Sequence, residues 1–368
     1  MMIQGGTQTW PTQPGIRMAV VAVLIGLFIA APAVRAEQGG PFASLTVDSG
    51  LSPYAPQAQV SGALKIQGSD TMSPLMSRLA AEFQRRQPQV TINVKGGGST
   101  KAVSEFLEPP AVGRIVLKEE RTNQFMLLAT SRELLDSEIK QFVAQHGYEP
   151  LALPVAVDAV ALYVHKDNPL AGLTLDQVDA MFSTTHTRGL KTDLKQWGQI
   201  GLSNGWDKSE IHLYGRDRKS GTRAFFQEHV LAGGEFAPQL QEQPGAASVI
   251  LALSRDQLGI GYSGFGLQAS AVRMVPLAEN EGMPFIAPSS ATVADQTYPL
   301  RRILYVYLDK SPKSPLPPAA QEFLMFITSR EGQEAVVRAG FFPLPMSQVT
   351  KSVVSLATTP ASGPKAGQ

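Results

Sequence analysis

One short stretch, YGRDRKSGTRAFF at residues 214–226, combines an arginine with a Ser-Gly-Thr triplet just before an apolar helical pattern. Serine or threonine in this position is an ordinary helix N-cap, because its oxygen accepts a backbone N–H that the helix leaves unpaired. The same N–H groups, together with the partial positive charge of a helix start, also bind anions. Arg216 beside Ser220, Gly221 and Thr222 therefore raises two alternatives, a simple helix cap or an oxyanion site.

Three other segments repeat this arrangement, in which an apolar strand pattern ends in small polar residues and a helix pattern follows. The junctions contain Ser69 with Thr71, Ser99 with Thr100, and Ser131 with Arg132. In a parallel α/β sheet the carboxyl ends of the strands gather at one edge, where ligands bind. One such junction alone is more often a cap, but four at one edge favour a site for a small oxyanion.

The elements that must position these junctions are short strands alternating with amphipathic helices, a pattern that predicts an α/β fold. Strands are predicted at residues 63–67, 90–95, 123–129 and 210–214. After the first strand, Leu75, Leu79 and Phe83 repeat every four residues, which predicts a helix with one buried face. Gly147 closes the helix pattern after the third strand.

Composition narrows the class of protein. The chain has 368 residues, a net charge of +1 and no cysteine, and a chain this long is expected to form two domains. Without cysteine there are no disulfides, no thiolate nucleophile, no cysteine–zinc site and no lipid-modified cysteine anchor. The balanced charge gives no indication of a nucleic-acid partner, so a bound anion would be held locally.

The amino terminus has the pattern of a secretory signal. An apolar run at residues 18–34 follows Arg17, contains Pro32 and is followed by a small residue, Ala36. We therefore predict a signal peptide over residues 1–36 and a periplasmic mature protein. A retained membrane anchor is the alternative, although the run is short for spanning a bilayer, which takes about 20 apolar residues.

Three further segments lack a sustained apolar period. Residues 37–61 are rich in Gly, Pro, Ser and Gln and are predicted to be a flexible lead-in. Residues 347–368 are polar and are predicted to be a disordered tail. Residues 107–124 are long and charged, and we interpret them as a surface insertion.

Motifs for other chemistry fail on their context. GIGYSG at residues 259–264 fits a dinucleotide-binding pattern but is followed by no clear helix pattern and no acidic residue about twenty positions on. GGGSTK has its lysine after the serine and threonine, whereas a P-loop needs it before them. The five histidines show no metal-ligand spacing, and no nucleophile–base pair is evident. No cofactor, no metal and no catalytic residue is predicted.

Several segments in this order resemble the PstS-type phosphate-binding proteins of ABC importers, from about Leu64 to Pro345. They include IQGSDTMSPLMSRLAAEFQ, INVKGGGSTKAV, ATSRELLDSEIKQF, PVAVDAVALYVHKDNPLAGLTLDQVDAMF, YGRDRKSGTRAFF, LGIGYSGFG and FLMFITSREGQEAVVRAGFFPLP. The Arg-x-x-x-Ser-Gly-Thr element is the most specific of them.

The resemblance implies a two-lobed periplasmic-binding-protein fold, with two hinge crossings between mixed-sheet lobes and a ligand in the cleft. PVAVDAVALYVHKDN and YPLRRILYVYLDK resemble those crossings. The first lobe would then comprise residues 62–157 plus 305–346, and the second lobe residues 158–304. The alternative interpretation of the two segments is a pair of buried strands in one continuous sheet.

The resemblance also implies the ligand-binding residues, loop by loop. The expected ligands are Ser69 and Thr71 in the first loop, Ser99 in the second, Ser131 and Arg132 in the third, and Arg216, Ser220, Gly221 and Thr222 in the fourth. Some family members have an aspartate directly after the third-loop serine, where this chain has Arg132. A carboxylate that accepts the ligand's proton would then come from elsewhere, and Asp70 is favoured over Asp217 because it lies inside an anion loop. The alternative is that Asp70 caps its helix and that Asp217 pairs with a neighbouring arginine.

By this resemblance the chain is expected to bind inorganic phosphate, to deliver it to the permease and ATPase subunits of an ABC importer, and to act as a monomer rather than as an enzyme. Sulfate, molybdate or tungstate is the alternative ligand. A secreted phosphatase or hydrolase with a cleft serine as nucleophile is the alternative from another class, and a signalling or adhesion protein on the same scaffold is a third.

Overall fold

The computed structural model describes Phe42, residues 45–108 and residues 124–357, all of them in one compact unit. The predicted signal peptide and most of the predicted insertion fall outside these residues. Within the described part of the chain, no helix is long and apolar enough to cross a membrane.

Strands and helices alternate along the described residues as the sequence predicts. The strands are β1 (Gly62–Gly68), β2 (Val90–Lys95), β3 (Gln124–Thr130), β4 (Leu151–His165), β5 (Leu173–Thr174), β6 (His212–Arg216), β7 (Gln241–Gln243), β8 (Gly259–Gly264), β9 (Val272–Met274), β10 (Leu277–Ala278) and β11 (Arg301–Leu308). The helices are α1 (Ser73–Gln84), α2 (Ser99–Phe106), α3 (Asp136–His146), α4 (Leu175–Phe182), α5 (Gly221–His229), α6 (Ala246–Leu253), α7 (Ser290–Ala294), α8 (Pro318–Ile327), α9 (Arg330–Arg338) and α10 (Met346–Ala357). A short 3-10 helix covers Trp197–Ile200.

The first lobe is a sheet with the order β2-β1-β3-β11 covered by helices. Strand β1 pairs in parallel with both β2 and β3, so the polar residues after these strands lie at one edge. Leu75, Leu79 and Phe83 of α1 are fully buried against this sheet, together with the aromatic residues of α8. The predicted strands and the apolar face of α1 are confirmed.

The second lobe continues with β4-β8-β6-β7 and has its own core around Trp197, Phe226 and Tyr262. Strand β6 pairs in parallel with β7 and β8, which brings the loop before α5 to the carboxyl edge of this sheet. The segment GIGYSG is all strand, because β8 covers it completely. It is therefore part of the sheet and not a phosphate-binding loop.

The crossings are β4 and β11, which pair with each other in antiparallel register and belong to both lobes. The 15-residue β4 pairs with β11 over its first part and with β8 over its last part. The register shifts between Leu304 and Tyr305, which leaves Val155 of β4 without a partner and forms a bulge beside Pro154. Because hydrogen bonds continue from one lobe to the other, the hinge interpretation and the continuous-sheet interpretation both describe this pair of strands.

Two end segments differ from the prediction. The tail begins with the helix α10, in which Val349 and Leu356 are buried, so residues 347–357 are ordered against the body. In the lead-in, Leu51 is buried and Tyr54 packs edge-on against Phe326. A few apolar side chains in these polar segments find buried positions on the fold, which composition alone does not reveal.

Tyr54 offers a test of how firmly the lead-in docks. Its hydroxyl donates to Glu322 Oε2 at 2.8 Å, and Glu322 is 7% exposed. Burial raises the pKa of Tyr54 to about 12, with Gln87 opposing the rise and Glu322 adding to it. A raised pKa means that this contribution to stability is present below the unfolded-state pKa of about 10 and is lost as the pH rises through about 12.

We expect Tyr54→Phe to lower the free energy of unfolding by about 1–3 kcal/mol at neutral pH, because it removes a partner of a buried carboxylate. The difference between wild type and variant should shrink as the pH rises from about 10 to about 12. Denaturant titrations measure both quantities. The control is Tyr148→Phe, whose hydroxyl donates to the more exposed Asp309. Equal losses in the two variants would contradict docking of the lead-in through Glu322.

Candidate functional site

The loops after β1, β2, β3 and β6 meet where the two lobes face each other. The N–H of Gly98 donates to the carbonyl of Gly68 at 3.0 Å, which joins the first two loops. Gly98 has a φ of +95°, and a Cβ there would lie 2.1 Å from the carbonyl oxygen of Lys219 in the opposite lobe. This position requires glycine for both reasons, and it shows that the lobes are in contact at these loops.

Three of the predicted ligands converge at the start of α5. Ser99 Oγ lies 3.2 Å from Ser131 Oγ and also accepts the N–H of Ser131 at 3.2 Å, and both serines are fully buried. A Cβ on Gly221 would lie 2.4 Å from each of these two hydroxyl oxygens. Two loops of the first lobe are therefore packed directly on a helix start of the second lobe.

The cap at the start of α5 is formed by Ser220. Its Oγ accepts the N–H of Thr222 at 3.1 Å and that of Arg223 at 3.4 Å, while its hydroxyl hydrogen remains available to donate. The Thr222 hydroxyl lies 3.4 Å from the Thr71 hydroxyl across the cleft. Ser69 supports the first loop by accepting the Met72 N–H at 3.4 Å. The Ser220 cap is therefore compatible with anion binding at this helix start.

Arg216 ends β6 and is 1% exposed, which makes it one of the largest fully buried side chains in the described residues. Burial lowers the pKa of its guanidinium, the charge of Asp70 opposes this, and the charge of Arg302 adds to it. Asp70 Oδ2 lies 3.8 Å from Arg216 Nη2, so the nearest carboxylate touches only one end of the guanidinium. A buried cation with such partial compensation is suited to binding an anion.

Asp70 connects three parts of the site. Its Oδ1 accepts the N–H of Gly97 at 2.8 Å, which joins the first and second loops, and its Oδ2 faces Arg216 of the second lobe. The cap interpretation considered for Asp70 is not what is seen, because the carboxylate bonds to the neighbouring loop instead. Asp217 acts on Arg216 through its charge, and its backbone bonds to Gln243 and Ser220.

Arg132 is buried, and its two terminal guanidinium nitrogens bond to residues of its own lobe. Its guanidinium donates to both carboxylate oxygens of Glu138 on α3, at 2.8 and 2.7 Å, and to the carbonyl of Glu133. Together with residues of α3 and α5 it lines a groove of about 850 Å³ between the lobes. Arg132 follows β3 in the third loop, and its Nε is buried without a hydrogen-bond partner in the described residues, so its pairing with Glu138 leaves one donor unused.

Two residues of the site were missed by the sequence interpretation. Asp158 of β4 and Arg302 of β11 are directly opposite each other in the crossing strands, and the Arg302 Nη2–Asp158 Oδ2 distance is 2.7 Å. Arg302 Nη2 also donates to the Thr222 hydroxyl at 3.1 Å. The sequence did contain a signal for this pair. Asp158 lies inside an otherwise apolar strand pattern, and a buried charge needs a partner.

Arg216 Nε and Arg302 Nη1 are buried and have no hydrogen-bond partner within the described chain. The hydroxyls of Thr71, Ser99, Ser131 and Thr222 lie around the same start of α5, where Ser220 caps the N–H groups of Thr222 and Arg223 and Arg302 contacts Thr222. Such a set supplies donors and positive charge, which is what a small oxyanion needs. In the described residues, no group of three acidic, histidine or cysteine side chains is arranged to hold a metal ion.

Sequence comparison identifies the family of this chain. The PBP superfamily domain matches residues 53–331, and the phosphate-binding protein PstS of Pseudomonas aeruginosa is 42% identical over 323 residues, which is 88% of this chain and 96% of that protein. The chain belongs to the PstS family of phosphate-binding proteins. Another PstS, from Bacillus subtilis, is 26% identical over 297 residues, which is 80% of this chain and 85% of that protein.

Solved structures support the same fold. An ABC-type phosphate transport receptor from Vibrio cholerae aligns with a TM-score of 0.58 at 22% identity and covers 77% of this chain and 100% of its own. A substrate-binding protein from Clostridium perfringens, solved with bound phosphate, aligns with a TM-score of 0.59 at 22% identity and with the same coverage. The predicted two-lobed periplasmic-binding-protein fold is confirmed, as is the resemblance to the PstS family.

The close packing around Gly221 generates a prediction. Gly221→Ala would place a methyl group against the Ser99 and Ser131 hydroxyls, and overpacking of this kind costs about 1–3 kcal/mol. We expect phosphate affinity, measured by titration calorimetry, to fall by about tenfold or more, because the loops must separate. The control is Gly245→Ala before α6, where the nearest contact for a Cβ is Ser248 Oγ at 3.6 Å. Equal affinities in the two variants would show that these loops do not meet around the ligand.

Proposed function

We propose that this protein binds inorganic phosphate between its two lobes and delivers it to an ABC importer. The observation that carries the proposal is the buried Arg216, which ends β6 shortly before α5 and whose Nε has no hydrogen-bond partner among the described residues. Hydroxyls from loops of both lobes surround this helix start. Membership of the PstS family supports phosphate as the ligand.

The ligand-binding residues we propose are those of the four loops, with roles that follow from their chemistry. Thr71, Ser99, Ser131 and Thr222 supply hydroxyls, Ser220 caps α5 and donates its hydroxyl hydrogen, and Gly221 supplies an N–H group. Arg216 supplies a charge-assisted fork to two phosphate oxygens. Ser69 shapes the first loop, and Arg132 contributes positive charge at the third loop while its hydrogen bonds go to Glu138.

The place of the protein in transport follows from the same proposal. We propose that the apolar run near the amino terminus directs export and that the mature chain works in the periplasm as a monomer. It would deliver phosphate to the permease and ATPase subunits of the importer. In this proposal the chain is a binder and not an enzyme, because its clustered hydroxyls contact one another and guanidinium groups rather than a general base.

Replacement of Arg216 tests the core of the proposal. We expect Arg216→Ala to weaken phosphate binding by about 2–5 kcal/mol, because the ligand would lose its strongest partner in a buried site. Titration calorimetry measures the effect, and thermal unfolding of the ligand-free variant checks the fold. The control is Arg218→Ala, two residues along the same loop but 86% exposed, which should bind like wild type. An unchanged dissociation constant for Arg216→Ala would mean that residues 214–226 only cap the helix α5 and do not bind phosphate.

The choice between phosphate and sulfate requires a further group. Both are tetrahedral, but at neutral pH phosphate still carries a proton to donate and sulfate does not. A carboxylate in the site would accept that proton from phosphate and repel sulfate. We propose Asp70 for this role, because its carboxylate lies in an anion loop and within 3.8 Å of the Arg216 guanidinium.

We expect wild type to reject sulfate and Asp70→Asn to admit it more readily, since the amide can donate a hydrogen bond where the carboxylate repels. Sulfate competition against bound phosphate measures the ratio of the two affinities in each protein. Asp217→Asn is the matched control. The Asp217 carboxylate also acts on Arg216 through its charge, but Asp70 is the one that bonds to the second loop through the Gly97 N–H. If wild type accepts sulfate as readily as phosphate, the carboxylate hypothesis fails and the site is a general oxyanion binder.

A further inference from the structure

Arg302 lies where the crossing strands meet the anion loops. Its side chain is 2% exposed, and it comes from β11, outside the four loops that the strand–loop–helix pattern identifies. Its Nε and Nη2 both donate to Asp158 Oδ2, at 3.0 and 2.7 Å. The Cζ atom of Arg302 lies over the Phe225 ring of α5, 5.4 Å from the ring centre. These contacts fix the guanidinium in one position beside the first turn of α5.

One nitrogen of this guanidinium donates to none of the residues that the structure describes. Arg302 Nη1 is buried without a hydrogen-bond partner in the described residues, as is Arg216 Nε. The two guanidinium groups are also close enough for the charge of Arg302 to lower the pKa of Arg216. Asp158 pairs with Arg302, and Asp70 approaches one end of Arg216, but each guanidinium keeps a buried N–H without a partner in the described residues. An anion near both groups would satisfy these N–H groups and offset the repulsion between the two cations.

The contact with Thr222 adds a directional effect. Arg302 Nη2 donates to Thr222 Oγ1 at 3.1 Å, and a guanidinium can only donate. The Thr222 oxygen is therefore an acceptor in this contact, and its own hydrogen must be donated to another group. The Thr71 hydroxyl is 3.4 Å away, a long distance for a hydroxyl hydrogen bond, so a ligand oxygen between the lobes would be a better acceptor.

We propose that Arg302 is a second guanidinium ligand of the bound oxyanion, with Nη1 donating to the anion and Nη2 directing the Thr222 hydroxyl towards it. This inference rests on the proposed binding of phosphate between the lobes. Asp158 is the positioning residue, because it holds Arg302 across the register pair that the two crossing strands form. The lobe crossings therefore take part in ligand binding directly and do not only connect the lobes.

The double variant Asp158→Asn/Arg302→Gln tests this inference without leaving an unpaired buried charge. Both replacements are neutral and can hydrogen-bond across the same register, so the ligand-free protein should remain folded by thermal unfolding. We expect phosphate affinity to fall about 30-fold or more by titration calorimetry. The control is Glu82→Gln/Arg338→Gln, an arginine–carboxylate pair with the same 2.7 Å contact but remote from the anion loops, which should bind like wild type. Wild-type affinity in the folded Asp158/Arg302 variant overturns the inference.

Arg302→Lys provides a second, independent measurement. Lysine keeps the positive charge beside Asp158 but has a single nitrogen, which cannot contact Asp158, Thr222 and the anion with separate arms. We expect it to fold like wild type and to bind phosphate about tenfold more weakly. Wild-type affinity in this variant would assign Arg302 to strand pairing alone and overturn the inference. Failure of wild type itself to bind phosphate would instead contradict the proposed function, so the two failures are distinguishable.

Discussion

The burial of the Arg216 guanidinium is the constraint on which the site depends. A charged group that is 1% exposed loses its hydration, and the loss must be offset by nearby negative charge and hydrogen-bond acceptors. Asp70 supplies part of this compensation from the opposite lobe, at 3.8 Å. Because the compensation comes across the cleft, the charge balance of the second lobe depends on contact with the first. A bound oxyanion would complete that balance. The compensation of the Arg216 charge is therefore coupled to the contact between the two lobes.

The strand–loop–helix junctions could be predicted from the sequence because their signals are local. An apolar run, a few small polar residues and a four-residue apolar period follow one another within about twenty positions, as in β1 and α1. Side-chain direction could not be predicted in the same way. Arg132 was predicted as a ligand from its place after Ser131, but its two hydrogen bonds to Glu138 depend on where the first turn of α3 lies. The Asp158–Arg302 pair joins residues 144 positions apart, and only the strand register brings them together.

The two end segments show a different limit of sequence interpretation. Composition describes the average of a segment, whereas docking depends on a few side chains that find a complementary surface. Leu51 and Tyr54 before β1, and Val349 and Leu356 in α10, occupy such positions on the body of the protein. Because most residues around them are polar, composition predicted a flexible lead-in and a disordered tail. The surfaces that bury these side chains are formed by residues distant in sequence. A local sequence pattern therefore cannot predict that the two segments dock there.

The bulge in β4 gives this strand one residue more than the register with β11 uses. Side chains alternate between the two faces of a strand, so one residue more or less reverses every side chain beyond that point. Val155 is the residue without a register partner, and Asp158 lies three positions further on. Loss of Val155 itself would remove the bulge and leave Asp158 opposite Arg302, whereas one added residue between Val155 and Asp158 would widen the bulge or shift Asp158 out of that place. Related chains should therefore tolerate the loss of one residue at this point more readily than the gain of one.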